Sequence, residues 1–353
     1  MEGSEYLNVR SDTVTLPTPQ MLEAISKAAL GDDNRREDPT VCELEELAAH
    51  MLGKEAALLT TSGQLSNSLA VLAHATRGDE IIMEETAHLF TSEQGAISTL
   101  GGMVFHLVPG YHGFPSLSQI ERAIRPSDDI HTPHTGLICL ENTHNHAGGT
   151  VISPEQTRQV CELAHRNNLP VHIDGARIFN ASIALGVDVK ELVKDADSIC
   201  FCLSKGLSCP IGSVLAGPHG LISKARRLRK LFGGGMRQAG IIAAPGVVAL
   251  NTMISRLRED HLRARTLALL LCDIQGLALD LDTVQTNMIR VDVSGLHTNA
   301  VQFNAALRKR GVEVLVAEET VIRIVIHRHI EDRHINKIAD AMASVAEELG
   351  GMA

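Results

Sequence analysis

Short apolar runs alternate with helix-patterned segments between residues 40 and 216, and this alternation constrains the fold more than any other feature of the chain. The apolar runs have the length and composition of buried strands. They are AALLT (56–60), EIIM (80–83), MVFHL (103–107), LICLE (137–141), PVHID (170–174), SICFCL (198–203) and SVLA (213–216). Such strands, separated by helices, are typical of a parallel sheet that is covered on both faces. The sequence therefore predicts an α/β fold with a mostly parallel seven-stranded sheet.

The pattern changes near residue 255, which predicts a second, smaller domain. A chain of 353 residues also exceeds the usual size of a single hydrophobic core. Beyond the sheet, the runs TNMIRVDV, VEVLV and VIRIVIH alternate with helical patterns. We predict a large domain over 26–254, a smaller α+β domain over 255–353, and an N-terminal segment, 1–25, that packs with the smaller domain.

Composition excludes some partners and favours a reducing compartment. The net charge of −10 is spread along the chain, which argues against nucleic acid and anionic membrane surfaces as partners. We see no apolar run of the roughly 18 to 20 residues that a membrane span requires. The seven cysteines are scattered without a pairing rhythm, and the N-terminal residues lack a secretory pattern. We therefore expect a cytoplasmic protein.

Three chemically distinctive stretches follow strand candidates directly. Ser62–Gly63 lies between a strand and a helix, where free backbone N–H groups can hold a phosphate. Asp174 ends PVHID, and Ser204–Lys205 ends SICFCL. Because ligands of open α/β sheets bind outside the carboxyl ends of the strands, these groups are expected at one edge.

A lysine, a carboxylate and a phosphate cradle are the groups that pyridoxal phosphate needs. The amine forms a Schiff base, the carboxylate faces the pyridine nitrogen, and the cradle anchors the phosphate. We assign these roles to Lys205, Asp174 and Ser62–Gly63, with Ser204 supporting the phosphate or the amine. A solvated lysine and an ordinary Asp-Gly turn remain alternatives at this point.

Several longer motifs stand out along the chain. They are NVRSDTVTLPTPQM, EDPTV, ENTHN, HIDGARIFNA, LSKGLSCPIGS, GGGMRQAG and RLREDH. These motifs closely resemble those of the L-threonine aldolases, which are fold-type I pyridoxal phosphate enzymes of the aspartate aminotransferase superfamily. The resemblance runs from about residue 7 to 345, and the motifs come in the family order. The resemblance implies pyridoxal 5'-phosphate as the cofactor, and it supports Lys205 as the Schiff-base lysine and Asp174 as the partner of the pyridine nitrogen.

The resemblance also implies contacts around the cofactor and substrate. His88 matches the histidine that stacks on the cofactor ring, and His131 matches a second histidine near the substrate hydroxyl. Arg177 matches the arginine that contacts the cofactor 3-oxygen and the substrate carboxylate. Ser11 and Arg323 match further contacts to that carboxylate.

Family members form homodimers or homotetramers with shared active sites, so the resemblance implies the same assembly here. Lys230 and Arg237, on either side of GGG (233–235), match cationic residues that one subunit lends to the cofactor site of its neighbour.

The implied reaction is retro-aldol cleavage of an L-threonine-type or L-allo-threonine-type amino acid to glycine and an aldehyde, or its reverse. A base removes the proton of the β-hydroxyl group, after which the Cα–Cβ bond breaks. His88, His131 or an ordered water is the candidate base, and the sequence does not choose among them. β-Elimination and transaldolation are alternatives on the same scaffold.

The chain departs from the family pattern at two places. Arg35 stands where a tyrosine is usual and Arg36 where a glycine is usual, and Gln64 replaces a threonine beside the expected phosphate turn. One interpretation is that these changes are neutral. The alternative is that Arg35 or Arg36 places extra positive charge at the site and favours a substrate or aldehyde with an anionic group, through charge-assisted hydrogen bonds.

Histidine pairs raise metal binding as a rival reading. His144 and His146, and the group His327, His329 and His334, resemble ligand clusters. The spacings of common zinc motifs are absent, however, so we predict no metal.

Overall fold

A computed structural model of the protein describes residues 6–126 and 128–350. Its strands are β1 (Leu7–Asn8), β2 (Ala56–Thr60), β3 (Glu80–Glu84), β4 (Val104–Val108), β5 (Gly110–Tyr111), β6 (Phe114–Pro115), β7 (Thr135–Glu141), β8 (Val171–Asp174), β9 (Ser198–Cys202), β10 (Ser213–Gly217), β11 (Met288–Asp292), β12 (Val312–Glu313), β13 (Leu315–Val316) and β14 (Val321–Val325).

The helices lie between and after these strands. They are α1 (Pro19–Lys27), α2 (Pro39–Leu52), α3 (Gly63–His74), α4 (His88–Thr91), α5 (Leu117–Ala123), α6 (Pro154–Arg166), α7 (Ile178–Leu185), α8 (Val189–Val193), α9 (His219–Leu231), α10 (Gly240–Thr252), α11 (Leu257–Cys272), α12 (Ala300–Arg308) and α13 (Asp332–Gly350).

The larger of two compact units contains the seven-stranded sheet, which confirms the sequence prediction. The strand order is β2-β10-β9-β8-β7-β3-β4. Strand β10 is antiparallel to both β2 and β9, and the pairs from β9 through β4 are parallel. All strands of this sheet except β10 therefore run in one direction, and their carboxyl ends meet at one edge.

The residues around the strands show why the helices begin where they do. Ser153 and Gln156 form a capping box at the start of α6, and Pro154 occupies its first position. Gly53 caps the end of helix α2, and its φ of 64° is the left-handed conformation that glycine adopts without a Cβ clash. Such caps satisfy backbone groups that the helix leaves unpaired at its ends.

Of the described residues, 6–15, 148–150 and 255–350 form the smaller unit. It contains a three-stranded antiparallel sheet of order β11-β14-β13 and a parallel pair of β1 with β12. The sequence placed residues as far as 25 in the N-terminal segment. In the structure, α1 instead belongs to the larger unit, where it packs on α10.

The run VEVLV does not form one strand. It divides at Val314, so that β12 pairs with β1 and β13 pairs with β14. The amide of Val314 donates a hydrogen bond of 3.1 Å to Oδ1 of Asn304, which takes this residue out of a ladder.

Within the described residues, no single helix is long and apolar enough to cross a membrane. Helices α10 and α11 pass that test of length and composition only when they are taken together as a bent pair.

Candidate active site

The predicted cofactor residues follow strands that end at the same edge of the large sheet. Ser62 follows β2, His88 follows β3, Asp174 ends β8 and Lys205 follows β9. A cavity of about 290 Å³ lies at this edge. Among its lining residues are Ser62, Gly63, Gln64, His88, Asp174, Ser204 and Lys205, all of which the sequence predicted for the site.

The N-terminus of α3 provides hydrogen-bond donors at one side of the cavity. The Ser62 hydroxyl caps the helix by accepting a hydrogen bond of 3.2 Å from the amide of Leu65. Within the described residues, the amides of Gly63 and Gln64 donate to no protein acceptor, as expected at a helix start. A phosphate placed there would meet two amide donors and the positive end of the helix dipole.

The close approach of the chain to β9 favours glycine at position 63. A Cβ added to Gly63 would lie 2.8 Å from Sγ of Cys202. Gln64 does not present its side-chain amide to the helix start, because its Nε2 donates a hydrogen bond of 3.0 Å to the carbonyl oxygen of Glu93. The side chain of Gln64 thus tethers the loop that carries Glu93.

Asp174 is a buried carboxylate with fixed orientation. It is 2% exposed, and its Oδ1 accepts a hydrogen bond of 3.1 Å from the amide of Ala176. Its Oδ2 accepts a second, of 2.9 Å, from Nδ2 of Asn67. A carboxylate held in this way can serve as the fixed partner of a protonated ring nitrogen.

His88 is held on both its backbone and its ring. Its amide donates to Oε2 of Glu141 at 2.7 Å, and its Nδ1 lies 3.1 Å from Oε1 of Glu93. Burial alone would lower the pKa of His88, but the hydrogen bond to Glu93 and the nearby carboxylates Asp174 and Glu141 raise it. Nε2 is the ring nitrogen that Glu93 does not engage.

The segment after β9 folds back beneath Lys205 and presents it at the cavity. The amide of Ser208 donates to the carbonyl oxygen of Lys205 at 2.8 Å, and the amide of Cys209 donates to that of Leu203 at 3.1 Å. Ser208 adopts a left-handed φ of 66°, which closes this turn tightly. Lys205 itself is half-buried.

Arg177 lies on the turn that follows Asp174, immediately before α7. It is 6% exposed, so its guanidinium group is held within the protein. The turn is compact at Gly175, where an added Cβ would lie 2.7 Å from the carbonyl oxygen of Cys200. The backbone of Arg177 therefore lies at the same edge of the sheet as Asp174.

The cations predicted to serve a neighbouring subunit are exposed in this chain. Lys230 is exposed near the end of α9. Nη1 of Arg237 lies 2.7 Å from Oδ2 of Asp32, and Nε of Arg35 lies 4.0 Å from the same oxygen. None of Arg35, Lys230 and Arg237 is among the residues that line the cavity.

Arg36 keeps the conformation that a glycine would adopt at this position. Its φ is 62°, in the left-handed region. An arginine accepts this conformation at an energetic cost that glycine does not have. Arg36 therefore occupies a backbone conformation that favours glycine.

His131 is not brought to the cavity by its own chain. It lies in an exposed loop that precedes the amino end of β7, whereas Asp174 and Lys205 lie at the carboxyl ends of the neighbouring strands. A role for His131 beside Lys205 of the same chain is therefore not supported, because the sheet separates its two edges.

Ser11 and Arg323 belong to the smaller unit. The Ser11 hydroxyl accepts a hydrogen bond of 3.2 Å from the amide of Thr13 and caps a short 3₁₀ turn. Arg323 lies on β14, is 9% exposed, and donates from Nη2 to the carbonyl oxygen of Arg10 at 3.3 Å. Their roles as substrate contacts stay predictions.

His88, Glu93 and Asp174 also form a set that could hold a metal ion, since one ligand atom from each lies within 4.8 Å of the others. The Asn67 amide nitrogen, however, donates to both carboxylates, at 2.8 Å to Glu93 and 2.9 Å to Asp174. An N–H donor directed between two carboxylates repels a cation. One side-chain amide of α3 thus already occupies an oxygen of each carboxylate.

Sequence reasoning missed Asn67 and Glu93, both of which line the cavity. Asn67 reads as one polar position in a helical pattern, and Glu93 as one carboxylate in a loop. The signal that could have found Asn67 is its position four residues after Gly63, one turn into the helix that the phosphate cradle begins.

The chain is similar to known proteins over most of its length. A family model described as beta-eliminating lyase matches residues 8–294. The chain is 45% identical over 328 residues to low-specificity L-threonine aldolase 1 of Arabidopsis thaliana, with 92% of each chain covered. It is 39% identical over 334 residues to the low specificity L-threonine aldolase of Escherichia coli K12, with 94% of this chain and 97% of the relative covered.

The fold is similar to that of a solved threonine aldolase from Leishmania major. The TM-score is 0.82, and the match covers 96% of this chain and 99% of the other. At 17% identity, this likeness concerns the fold alone. It agrees with the fold-type I architecture that the sequence predicts.

Proposed function

The chain belongs to the beta-eliminating lyase family, with L-threonine aldolases as its relatives, and from this premise we propose that it cleaves a β-hydroxy-α-amino acid to glycine and an aldehyde. As a member of this family it is a pyridoxal phosphate-dependent lyase. The proposed substrates are of the L-threonine or L-allo-threonine type, and the reverse condensation uses the same groups.

The convergence of Lys205, Asp174 and the start of α3 on one cavity carries the proposal. These residues fit the cofactor, because the set combines one amine, one buried carboxylate and two backbone amides with no protein acceptor among the described residues. When bound, pyridoxal phosphate supplies an aldehyde for the amine and an electron-withdrawing ring that accepts the electron pair of the broken bond.

Lys205 would hold the cofactor through its amine. Asp174 would hold a proton at the ring nitrogen and so keep the ring electron-withdrawing. The amides of Gly63 and Gln64, with Ser62 and Ser204, would anchor the phosphate.

His88 is the proposed base for the β-hydroxyl proton and also the ring that covers the cofactor. Its Nδ1 is engaged by Glu93, which leaves Nε2 as the atom that can accept the proton. Arg177 is the proposed contact for the substrate carboxylate, with Ser11 and Arg323 as further contacts. A guanidinium pairs with a carboxylate through two parallel hydrogen bonds and so fixes the amino acid in one orientation.

We further propose a homodimer or homotetramer located in the cytoplasm. The exposed residues Lys230, Arg237, Arg35 and His131 are candidates for a neighbour's site in that assembly. Their exposure in the single chain supports this arrangement, since each is available to another copy.

The test is the release of glycine and acetaldehyde from L-threonine by the protein saturated with pyridoxal phosphate. We expect release by the unaltered protein and none by Lys205→Ala. Lys194→Ala is a matched control, because this lysine is exposed and pairs with Glu191 at 2.8 Å on the surface. Release by Lys205→Ala at the normal rate would contradict the proposal.

A second candidate is cleavage or transaldolation of a substrate with an anionic side group. The observation that favours it is the arginine at position 35, which keeps 74% of its side chain exposed and so remains available to a substrate in a neighbouring site. Preference for 3-hydroxyaspartate over L-threonine that disappears in Arg35→Ala would support this candidate. Equal use of both substrates would contradict it, and release of ammonia with a keto acid would indicate β-elimination instead.

A further inference from the structure

We propose that a series of hydrogen-bonded side chains behind Asp174, the positioning chain, positions its carboxylate and stabilises its negative charge. Every donor in this series is directed toward that carboxylate. From the outside inward, the positioning chain consists of His74, Ser198, His172 and Asn67. These are positioning residues, since they act on the cofactor through Asp174. The inference rests on the proposed function, in which Asp174 holds the ring nitrogen.

Simple periodicities place these side chains together. Asn67 and His74 are seven residues apart on α3, and therefore share one face of that helix. His172 and Asp174 are two residues apart on β8, so their side chains point to one face of the sheet. Ser198 on β9 is the ladder partner of His172. Helix α3 thus covers the face of the sheet that carries Asp174.

Hydrogen bonding fixes the orientation of the Asn67 side-chain amide, which lies next to Asp174. Nδ2 of Asn67 donates to Oδ2 of Asp174 at 2.9 Å and to Oε1 of Glu93 at 2.8 Å. The opposite amide orientation would set an oxygen against two carboxylates, which have no proton to offer it when ionised. Oδ1 of Asn67 therefore faces away, toward Nε2 of His172 at 3.1 Å and Sγ of Cys200 at 2.9 Å.

The orientation of Asn67 determines the protons of the remaining links. Because Oδ1 can only accept, Nε2 of His172 carries the hydrogen and Nδ1 is the acceptor. Oγ of Ser198 lies 2.8 Å from that Nδ1 and must donate to it. Oγ of Ser198 can then accept from Nε2 of His74, also at 2.8 Å. One consistent direction of donation runs from His74 to Asp174.

The positioning chain supplies aligned dipoles rather than charges. Burial lowers the pKa of His172 to about 3 and that of His74 to about 4, so both rings are neutral at neutral pH. Ser198 and His172 are both fully buried, where aligned donors act in a low dielectric. The amide of Asn67 does not pass protons on, which makes the chain a support for Asp174 and not a proton conductor.

The experiment uses the holoenzyme loaded with pyridoxal phosphate that carries ¹⁵N at the ring nitrogen. The ¹⁵N chemical shift reports whether this nitrogen is protonated, and a titration gives the cofactor dissociation constant. In His172→Leu, we expect the shift to move toward the unprotonated value and the cofactor to bind roughly fivefold more weakly, as the loss of about one hydrogen bond implies. His172→Gln keeps an N–H donor for Asn67, so we expect its shift to stay near that of the unaltered protein.

Ser198→Ala tests the hydrogen bond between Ser198 and His172 with a smaller change, in case His172→Leu does not fold. We expect it to move the ¹⁵N shift in the same direction. The matched control is Thr135→Val, which removes a buried hydroxyl that accepts from the amide of Arg125 at 3.0 Å at the other edge of the sheet. It is expected to leave the shift unchanged.

The two proposals fail in distinguishable ways. If the unaltered protein binds no pyridoxal phosphate, the proposed function fails. If it binds the cofactor and the ¹⁵N shift is the same in His172→Leu and Ser198→Ala, the positioning chain alone is overturned. A second measurement is the tautomer of His172 by ¹⁵N NMR of labelled histidine: a hydrogen on Nε2 supports the chain, and one on Nδ1 alone overturns it.

Discussion

Nδ1 of His88 lies 3.1 Å from Oε1 of Glu93, and the side chain of Glu93 is 1% exposed. A buried carboxylate in this position stabilises the protonated imidazole. Burial opposes this effect, but the hydrogen bond to Glu93 and the charges of Asp174 and Glu141 raise the pKa of His88 above its ordinary value. The pair thus links the pH response of the proposed base to one neighbouring residue.

Glu93→Gln is expected to move the acid limb of the pH profile of kcat/KM to lower pH. A base must be neutral to accept a proton, so activity rises as pH passes through the pKa of His88. Without the Glu93 charge, less opposes the effect of burial, so the pKa of His88 falls and the neutral form persists at more acidic pH. Glu80→Gln is the matched control, since Glu80 is a buried partner of His106 at 2.7 Å on the amino end of β3. An acid limb that stays in place in Glu93→Gln would contradict the assignment.

Gly63→Ala is expected to weaken cofactor binding and to lower the free energy of unfolding by about 1–3 kcal/mol. The added Cβ would lie 2.8 Å from Sγ of Cys202, so the start of α3 must shift. Cofactor titration and urea unfolding measure both effects. Cys202→Ala in the same chain removes the clashing sulfur and should restore most of the loss.

The control for this prediction is Gly220→Ala on α9. Apart from its chain neighbours and the backbone of its own helix, no atom of the described residues lies within 4 Å of the Cβ that it adds. Alanine also favours a helix over glycine by about 1 kcal/mol. We expect it to leave cofactor binding unchanged and stability equal or higher. A Gly63→Ala protein that binds the cofactor normally would show that the close approach to β9 does not shape the phosphate cradle.

Asp33→Ala is expected to lower the free energy of unfolding by about 3–5 kcal/mol. Asp33 and Arg229 form a salt bridge of 2.7 Å in which each side chain is 1% exposed, and removal of one partner leaves a buried charge. The exposed pair of Arg158 with Glu155, at 2.7 Å, provides the contrast, with about 0–1 kcal/mol expected for Arg158→Ala. Urea unfolding measures both losses. If the two variants lose the same free energy of unfolding, the burial of the ion pair does not determine the size of the loss.

The sheet and the core of the site could be predicted because they follow from local pattern. Each of the seven apolar runs forms a strand, and strands of one direction bring Ser62, Asp174 and Lys205 to one edge. The strand determines where the residue directly after it lies. The sequence position of that residue is therefore enough to predict its place at this edge.

Asn67 and Glu93 could not be found in this way, because their contacts join distant segments. The hydrogen bond from Asn67 to Asp174 spans 107 positions in the chain, and a polar residue within a helix gives no sign of its partner. His131 shows the opposite problem, since its motif suggested a role in the site whereas its loop precedes the amino end of β7. A motif match does not say at which edge of the sheet, or in which copy of the chain, a side chain acts.

The central claim is that Lys205 is the residue that binds the cofactor covalently. Reduction of the holoenzyme with borohydride, followed by proteolysis and mass spectrometry, tests it most directly. The account predicts one phosphopyridoxyl group, on the peptide that contains Lys205. Modification of a different lysine, such as Lys230, or no modification in a protein saturated with pyridoxal phosphate, would contradict it.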